Sequence, residues 1–132
     1  MNDLLKVKFI SSKKGRGVFA KKDISKGRII DVANVVLIPN NDYKQLEKTL
    51  VSNYCFDWEN QKYKSENKMV LPMTICQFMN HSYNPNVIYE YNYKNDTIKF
   101  KTIKMIRKGE ELTINYNGNP LSKDPVWFEV TE

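Results

Sequence analysis

Three segments of this 132-residue chain carry residue types that could act together chemically. The first, Gln77-Phe78-Met79-Asn80-His81-Ser82-Tyr83-Asn84-Pro85-Asn86, holds the chain's one histidine. The second, Lys14-Gly15-Arg16-Gly17-Val18-Phe19-Ala20, has two glycines, which allow positive φ or a close approach of backbone to a ligand. The third, Gly109-Glu110-Glu111-Leu112-Thr113-Ile114-Asn115-Tyr116, ends in a tyrosine. Taken singly, they read as a polar turn, a loop and a half-buried strand. Two cysteines and one histidine cannot supply a tetrahedral zinc set without carboxylates, so no metal site is expected. Cys55 and Cys76 lie among apolar neighbours; one disulfide is formally available, and buried free thiols are the expectation.

In this order and at this spacing the three segments resemble the hallmarks of the SET-domain protein lysine methyltransferases. That family opens on Gly-x-Gly before a hydrophobic strand. Its central motif is close to Arg-Phe-Ile-Asn-His-Ser-Cys-x-Pro-Asn, and its closing motif is close to Glu-Leu-Thr-Phe-Asp-Tyr. The likeness runs from about Leu4 to Asn117 and is nearest to the small stand-alone members of bacteria and large DNA viruses. It implies a mostly β fold of several small sheets with one or two short helices. It also implies a C-terminal pseudoknot, a rare exception to unthreaded connections, in which the closing segment passes under a loop of the central motif. The whole of 1–132 would be one domain, with a core over about 4–117 and a tail, 118–132, that closes the site.

The activity implied by the resemblance is transfer of a methyl group from S-adenosylmethionine to the side-chain amine of a lysine in a protein, a histone or histone-like protein among the candidates. Tyr116 would stand at the methyl-transfer point and Tyr54 would line the lysine channel. The Asn80 side chain and His81 backbone would contact the ammonium end and adenine of the cofactor. Gly15, Arg16 and Gly17 would hold its methionine part through the backbone, Lys13 or Lys14 its carboxylate, and Trp127 or Phe128 its adenine. Phe78 would pack beneath, and His81 is not expected to be a base. An aromatic channel suits the chemistry, because a lysine of pKa about 10.4 must lose its proton before it attacks. Tyr83, Asn84, Asn115 and the run Asn117-Gly118-Asn119-Pro120 depart from the family pattern. They leave the far wall of the channel, and so the number of methyls added, open.

Length points to one domain with a single core. No apolar run approaches the roughly 18 residues of a membrane span, and the first residues lack the apolar stretch of a signal peptide, so an intracellular protein is expected. The net charge is +6, much of it early: Lys6, Lys8, Lys13, Lys14, Arg16, Lys21, Lys22, Lys26 and Arg28 face only Asp3 and Asp23. Such a surface could meet nucleic acid, or simply keep one sheet face wet. It is awkward for an enzyme acting on a basic tail, and calls for a local acidic groove or a substrate that is not strongly basic. Two other functions therefore stand beside the enzyme: a non-catalytic SET-like module that binds cofactor or peptide, and a basic β-domain binding nucleic acid, with Tyr89, Tyr91 and Tyr93 as stacking platforms. A homodimer is compatible with the resemblance, since some small relatives dimerise.

The elements that must position these residues follow from pattern. Leu4 to Ile10 alternates as a strand with Leu5, Val7 and Phe9 on one face. Lys13 to Gly17 reads as a loop, Val18 to Ala20 as a strand, and Arg28 to Ile38 as a long β-branched strand. Asn40 or Asn41 would cap a helix from about Asp42 to Val51, with Tyr43, Leu46 and Leu50 at helical spacing. Tyr54 to Trp58 and Met69 to Leu71 read as short strands, Glu59 to Lys68 as a loop or hairpin tip, and Met73 to Met79 as a helical turn. Val87 to Tyr93 and Thr97 to Ile103 form a hairpin, and Glu110 to Tyr116 is the closing strand. Asp23 to Gly27 and Met105 to Gly109 echo one another as two similar corners.

Overall fold

The computed structural model describes residues 3–58, 67–128 and 130. In chain order its strands are β1 (Leu5–Ser11), β2 (Gly15–Ala20), β3 (Ile29–Ile38), β4 (Phe56–Asp57), β5 (Met69–Pro72), β6 (Asn80–His81), β7 (Val87–Asn92), β8 (Thr97–Thr102) and β9 (Glu111–Ile114). They form two sheets, of order β1-β2-β9-β6 and β4-β5-β3-β8-β7. One α-helix, α1 (Asn40–Leu46), and two 3-10 turns, Leu50–Tyr54 and Ile75–Phe78, complete the regular structure of the described residues. The mostly β class is as expected. Between the sheets lies a core that includes Val18, Trp58, Val70, Met79, Val87, Ile98, Phe100 and Leu112, each at most 1 % exposed.

The β1–β2 hairpin is tighter than its glycines suggested. Strand β2 begins at Gly15 itself, whose φ of +69° only glycine adopts without strain. Phe9 pairs with Arg16 in the same register as Leu5 and Val7, beyond the end of the core, and the register shifts only after it. Phe9 is therefore 68 % exposed rather than part of the core.

The helix is also shorter than its spacing predicted. It ends at Leu46, where the Thr49 hydroxyl competes for the last carbonyl, Thr49 Oγ1 donating to Leu46 O at 2.7 Å; in the turn that follows, Ser52 Oγ donates to Thr49 O at 2.7 Å. The chain then tightens into the 3-10 turn that delivers Tyr54. Asn40 does not cap the helix; its Oδ1 accepts the Lys68 N–H at 3.1 Å. The strand expected over Tyr54–Trp58 reduces to β4. Most of the loop expected over Glu59–Lys68 lies outside the described residues.

The two echoing corners pair with each other. Ile24 and Ile106 exchange backbone hydrogen bonds of 2.7 and 2.9 Å, and both side chains are buried. This contact fixes the entry to β9. Strand β9 then pairs with β2 antiparallel (Val18 opposite Leu112) and with β6 parallel (Asn80 opposite Thr113, His81 opposite Ile114). Where β6 stops, the Asn86 side chain continues the ladder: its Nδ2 donates to Glu111 O and its Oδ1 accepts the Thr113 N–H, both at 2.9 Å. Residues 77–86 and 110–116 thus lie side by side, as a site shared between them requires.

Candidate active site

The site centres on Tyr116. Strand β9 ends at Ile114, two residues short of the expected end, because side chains take over the backbone groups that follow. The Tyr116 N–H donates to His81 Nδ1 at 3.0 Å, and the Asn117 N–H to Asn115 Oδ1 at 3.0 Å. An Nδ1 that accepts carries no proton, so the imidazole is neutral with its hydrogen on Nε2. His81 holds Tyr116 in place and is not arranged as a base. At the other end of the ring, the Tyr116 hydroxyl donates to Met79 O at 2.7 Å.

Burial, helped by nearby Tyr54, Glu111 and Tyr89, pushes the Tyr116 hydroxyl up to about 12. It stays protonated at any working pH and acts as a donor. Burial likewise lifts Tyr89 and Cys76 to about 12. These folded values lie above the unfolded ones. Their contribution to stability is complete below about pH 9 and lost as pH rises towards 12, at about 1.4 kcal/mol per pH unit for each group in its window. A melting temperature measured from pH 7 to 11 should stay level and then fall steeply above pH 9.

Two cavities share this tyrosine in their lining. One, of about 680 Å³, is lined by Lys13, Lys14, Gly15, Arg16, Asn80, His81 and Phe128 among others. The other, of about 660 Å³, is lined by Tyr43, Phe56, Asp57, Tyr89 and Tyr91 among others. Asn53, Tyr54, Gln77, Met79, Tyr116 and Trp127 line both. Their charges are opposite. Among the described residues the first has three cationic side chains and no carboxylate, and the second has one carboxylate, Asp57, and no lysine or arginine.

The sequence-predicted cofactor residues cluster at the first cavity, with one difference. Gly17 does not line it but makes room behind it. A Cβ there would stand 2.7 Å from Glu111 Oε2 and 3.0 Å from Asn80 Nδ2. The bare glycine lets Asn80 Nδ2 donate to Glu111 Oε2 at 2.7 Å and to Arg16 O at 3.2 Å, tying the central motif to both flanking segments. The Arg16 guanidinium lies 4.3 Å over the Phe78 ring, whose edge meets Tyr54. Trp127 stacks on Tyr116 at 5.5 Å and 15°, and Phe128 presents its edge to His81 at 6.2 Å. Both tail aromatics are brought to the site, Trp127 in the lining of both cavities and Phe128 in that of the cationic cavity alone.

Sequence reasoning missed what fastens this tail. The departures from the family pattern do it. Asn115, 3 % exposed, donates through Nδ2 to Ser122 O at 2.9 Å, Asn117 Nδ2 donates to Asp124 O at 2.8 Å, and the Tyr83 hydroxyl donates to Asp124 O at 3.1 Å. An aspartate at 115 keeps the acceptor but loses the donor and faces the Ser122 carbonyl. Asn115→Asp should cost about 1–3 kcal/mol in denaturant unfolding at neutral pH, and the loss should shrink as the carboxyl is protonated in acid.

Also missed were Tyr89 and Tyr91 as site residues. Their period of two placed them on one face of β7, and that face turns inward: Tyr89 meets Phe56 at 4.9 Å and Tyr91 meets Trp58 at 5.2 Å. They wall the second cavity and offer no exposed stacking platform. Cys55 and Cys76 are both free, Cys76 buried and Cys55 half-buried. Among the described residues no cluster of metal-ligating side chains occurs, and no helix is long and apolar enough to cross a membrane.

Comparison with known proteins agrees with this geometry. The SET domain model matches residues 15–117. The chain is 31 % identical over 120 residues to the histone-lysine N-methyltransferase of Schizosaccharomyces pombe specific for H3 lysine-37, a match covering 90 % of this chain and 74 % of that one. A Plasmodium falciparum protein assigned as a histone methyltransferase superposes with a TM-score of 0.66 at 25 % identity, covering 88 % of this chain and 95 % of the other. A chain of the ctPRC2 complex shares the fold, with a TM-score of 0.68 at 22 % identity over 88 % of this chain and 15 % of its own length. The chain belongs to the SET-domain family, the protein lysine methyltransferases.

Proposed function

We propose that this chain transfers a methyl group from S-adenosylmethionine to the side-chain amine of a lysine in a protein, a histone being the leading class of substrate. The observation that carries the reading is the pair of oppositely charged cavities that share Tyr116 in their lining. SET methyltransferases use S-adenosylmethionine, which bears a carboxylate, an ammonium group and an aromatic base. The cationic cavity fits it: Lys13, Lys14 and Arg16 suit the carboxylate, Asn80 and the His81 backbone suit its polar groups, and Phe128 or Trp127 suits the adenine. Its size lies in the usual range of small-molecule sites. The bound cofactor would supply a methyl group activated on a sulfonium.

The protein's own part is to position, neutralise and exclude water. Tyr54, Tyr89 and Tyr91 would wall the lysine side chain. Desolvation among them disfavours the ammonium form, so the amine sheds its proton to solvent before reacting. The Met79 carbonyl and the Tyr116 hydroxyl would orient the neutral amine. Its lone pair then forms the new bond to the methyl carbon as the carbon–sulfur bond breaks and its electrons return to sulfur. No covalent enzyme intermediate is needed, which suits a site whose only histidine is committed to a backbone hydrogen bond.

The domain assignment, a single catalytic unit over 1–132 whose tail closes the site, and an intracellular setting belong to the same proposal. To test it, the purified chain is incubated with core histones and S-adenosylmethionine carrying a labelled methyl, and the hydrolysate is analysed. Label in methyllysine supports the reading; label confined to other residues overturns it.

A further inference from the structure

The early lysines make the molecule basic, which works against a basic substrate, yet the cavity assigned to the lysine is free of lysine and arginine among the described residues. Its one carboxylate, Asp57, stands exposed on β4, the edge strand of the second sheet. Its carboxylate has no hydrogen bond or ion pair among the described residues, where the ion pairs are Lys99–Glu90 and Arg107–Asp23. An unpaired carboxylate at a cavity that admits a cationic side chain is available to the ligand.

We infer that Asp57 is a specificity-determining residue that reads a positive charge on the substrate next to the target lysine. The inference rests on the lysine-transfer reading. The target amine must become neutral to react, and a carboxylate beside it would hold its proton. Asp57 lines the second cavity alone and is not among the six residues shared by the two. The charge it meets is therefore one that remains outside, on an arginine or lysine flanking the target. Its field does enter the cavity: the Tyr89 and Tyr43 hydroxyls are raised first by burial, with Asp57 among the further causes. The local acidic feature that a basic enzyme needs for a basic tail would be this one residue.

The test uses the whole chain, S-adenosylmethionine and a peptide library with a fixed central lysine and varied flanking positions. The readout is the ratio of kcat/KM for arginine-flanked over alanine-flanked peptides, in which a general loss of activity cancels. The wild type should favour arginine at one flanking position by about fivefold, the scale of a partly exposed ion pair, and the ratio should fall towards one at about 1 M salt. Asp57→Glu should keep the preference, Asp57→Asn should abolish it, and Asp57→Lys should shift it to glutamate. An active wild type without a cationic preference, or one whose preference survives in Asp57→Asn, would overturn the inference and leave the activity standing. A folded wild type that methylates no library member would overturn the activity and the inference together.

Discussion

Tyr116→Phe should lower the rate of methyl transfer by about 100-fold, the usual scale for losing one aimed donor, while the affinity for S-adenosylmethionine stays within about threefold. The substitution removes a single atom. That atom belongs to a residue that lines both cavities, and it donates to Met79 O. The phenylalanine ring still stacks under Trp127, and the backbone N–H still reaches His81 Nδ1, so the walls of the cofactor cavity remain. The released Met79 carbonyl costs about 1 kcal/mol, too little to unfold the chain. Rates on a lysine peptide and a cofactor titration of the same sample separate the two effects. An unchanged rate would move the transfer point away from Tyr116.

Asn80→Ala should have the largest effect on cofactor affinity, a loss of at least 100-fold, together with a loss of stability of about 2–3 kcal/mol. The alanine deletes two hydrogen bonds, to Arg16 O and to Glu111 Oε2, and leaves the half-buried Glu111 carboxylate without that donor. The Gly15–Gly17 segment then loses its tie to β9 through the central motif. Asn80→Asp sharpens the test, because it keeps the shape and sets a second carboxylate against Glu111. At neutral pH it should be less stable than Asn80→Ala, and it should recover as the solution is acidified and one carboxyl takes a proton. Melting curves at pH 5 and pH 8 distinguish the two variants. Equal stability of Asn80→Asp and wild type at pH 8 would mean that the Asn80–Glu111 bond does not hold the site together.

How much of this was legible in the sequence depends on which force sets each feature. Where burial alternates with period two, as in β7 and β8, or where β-branched residues run on, as in β3, the strands were readable to within a residue or so. Where side chains compete with backbone, they were not. Thr49 cut short a helix that Tyr43, Leu46 and Leu50 seemed to extend. Asn115 and His81 ended β9 by capturing N–H groups that a strand would have used.

The residues expected on the cofactor side come from local motifs: Lys14 to Arg16 and Asn80–His81 line one cavity, and Gly17 stands behind it. Gly17 was read as a ligand contact, whereas its missing side chain serves Asn80, a contact across 63 positions of sequence. The wall formed by Tyr89 and Tyr91 was invisible because period two fixes a face but not what that face looks upon. Tyr83 and Asn115 looked like departures that weakened the family reading. They turn out to anchor the tail that carries Trp127 onto Tyr116, and no pairwise pattern in the sequence links residue 83 to residue 124.

The most direct test of the central claim is a calorimetric titration of the purified chain with S-adenosylmethionine, with its folding verified by a cooperative melt. The two-cavity account predicts saturable binding at one site per chain, with a Kd of roughly micromolar order, and a melting temperature that rises with ligand concentration. A folded chain that shows neither saturable heat nor a shifted melt up to about 1 mM ligand would contradict it, because a cavity built from Lys13, Lys14, Arg16 and Asn80 would then not be a cofactor site.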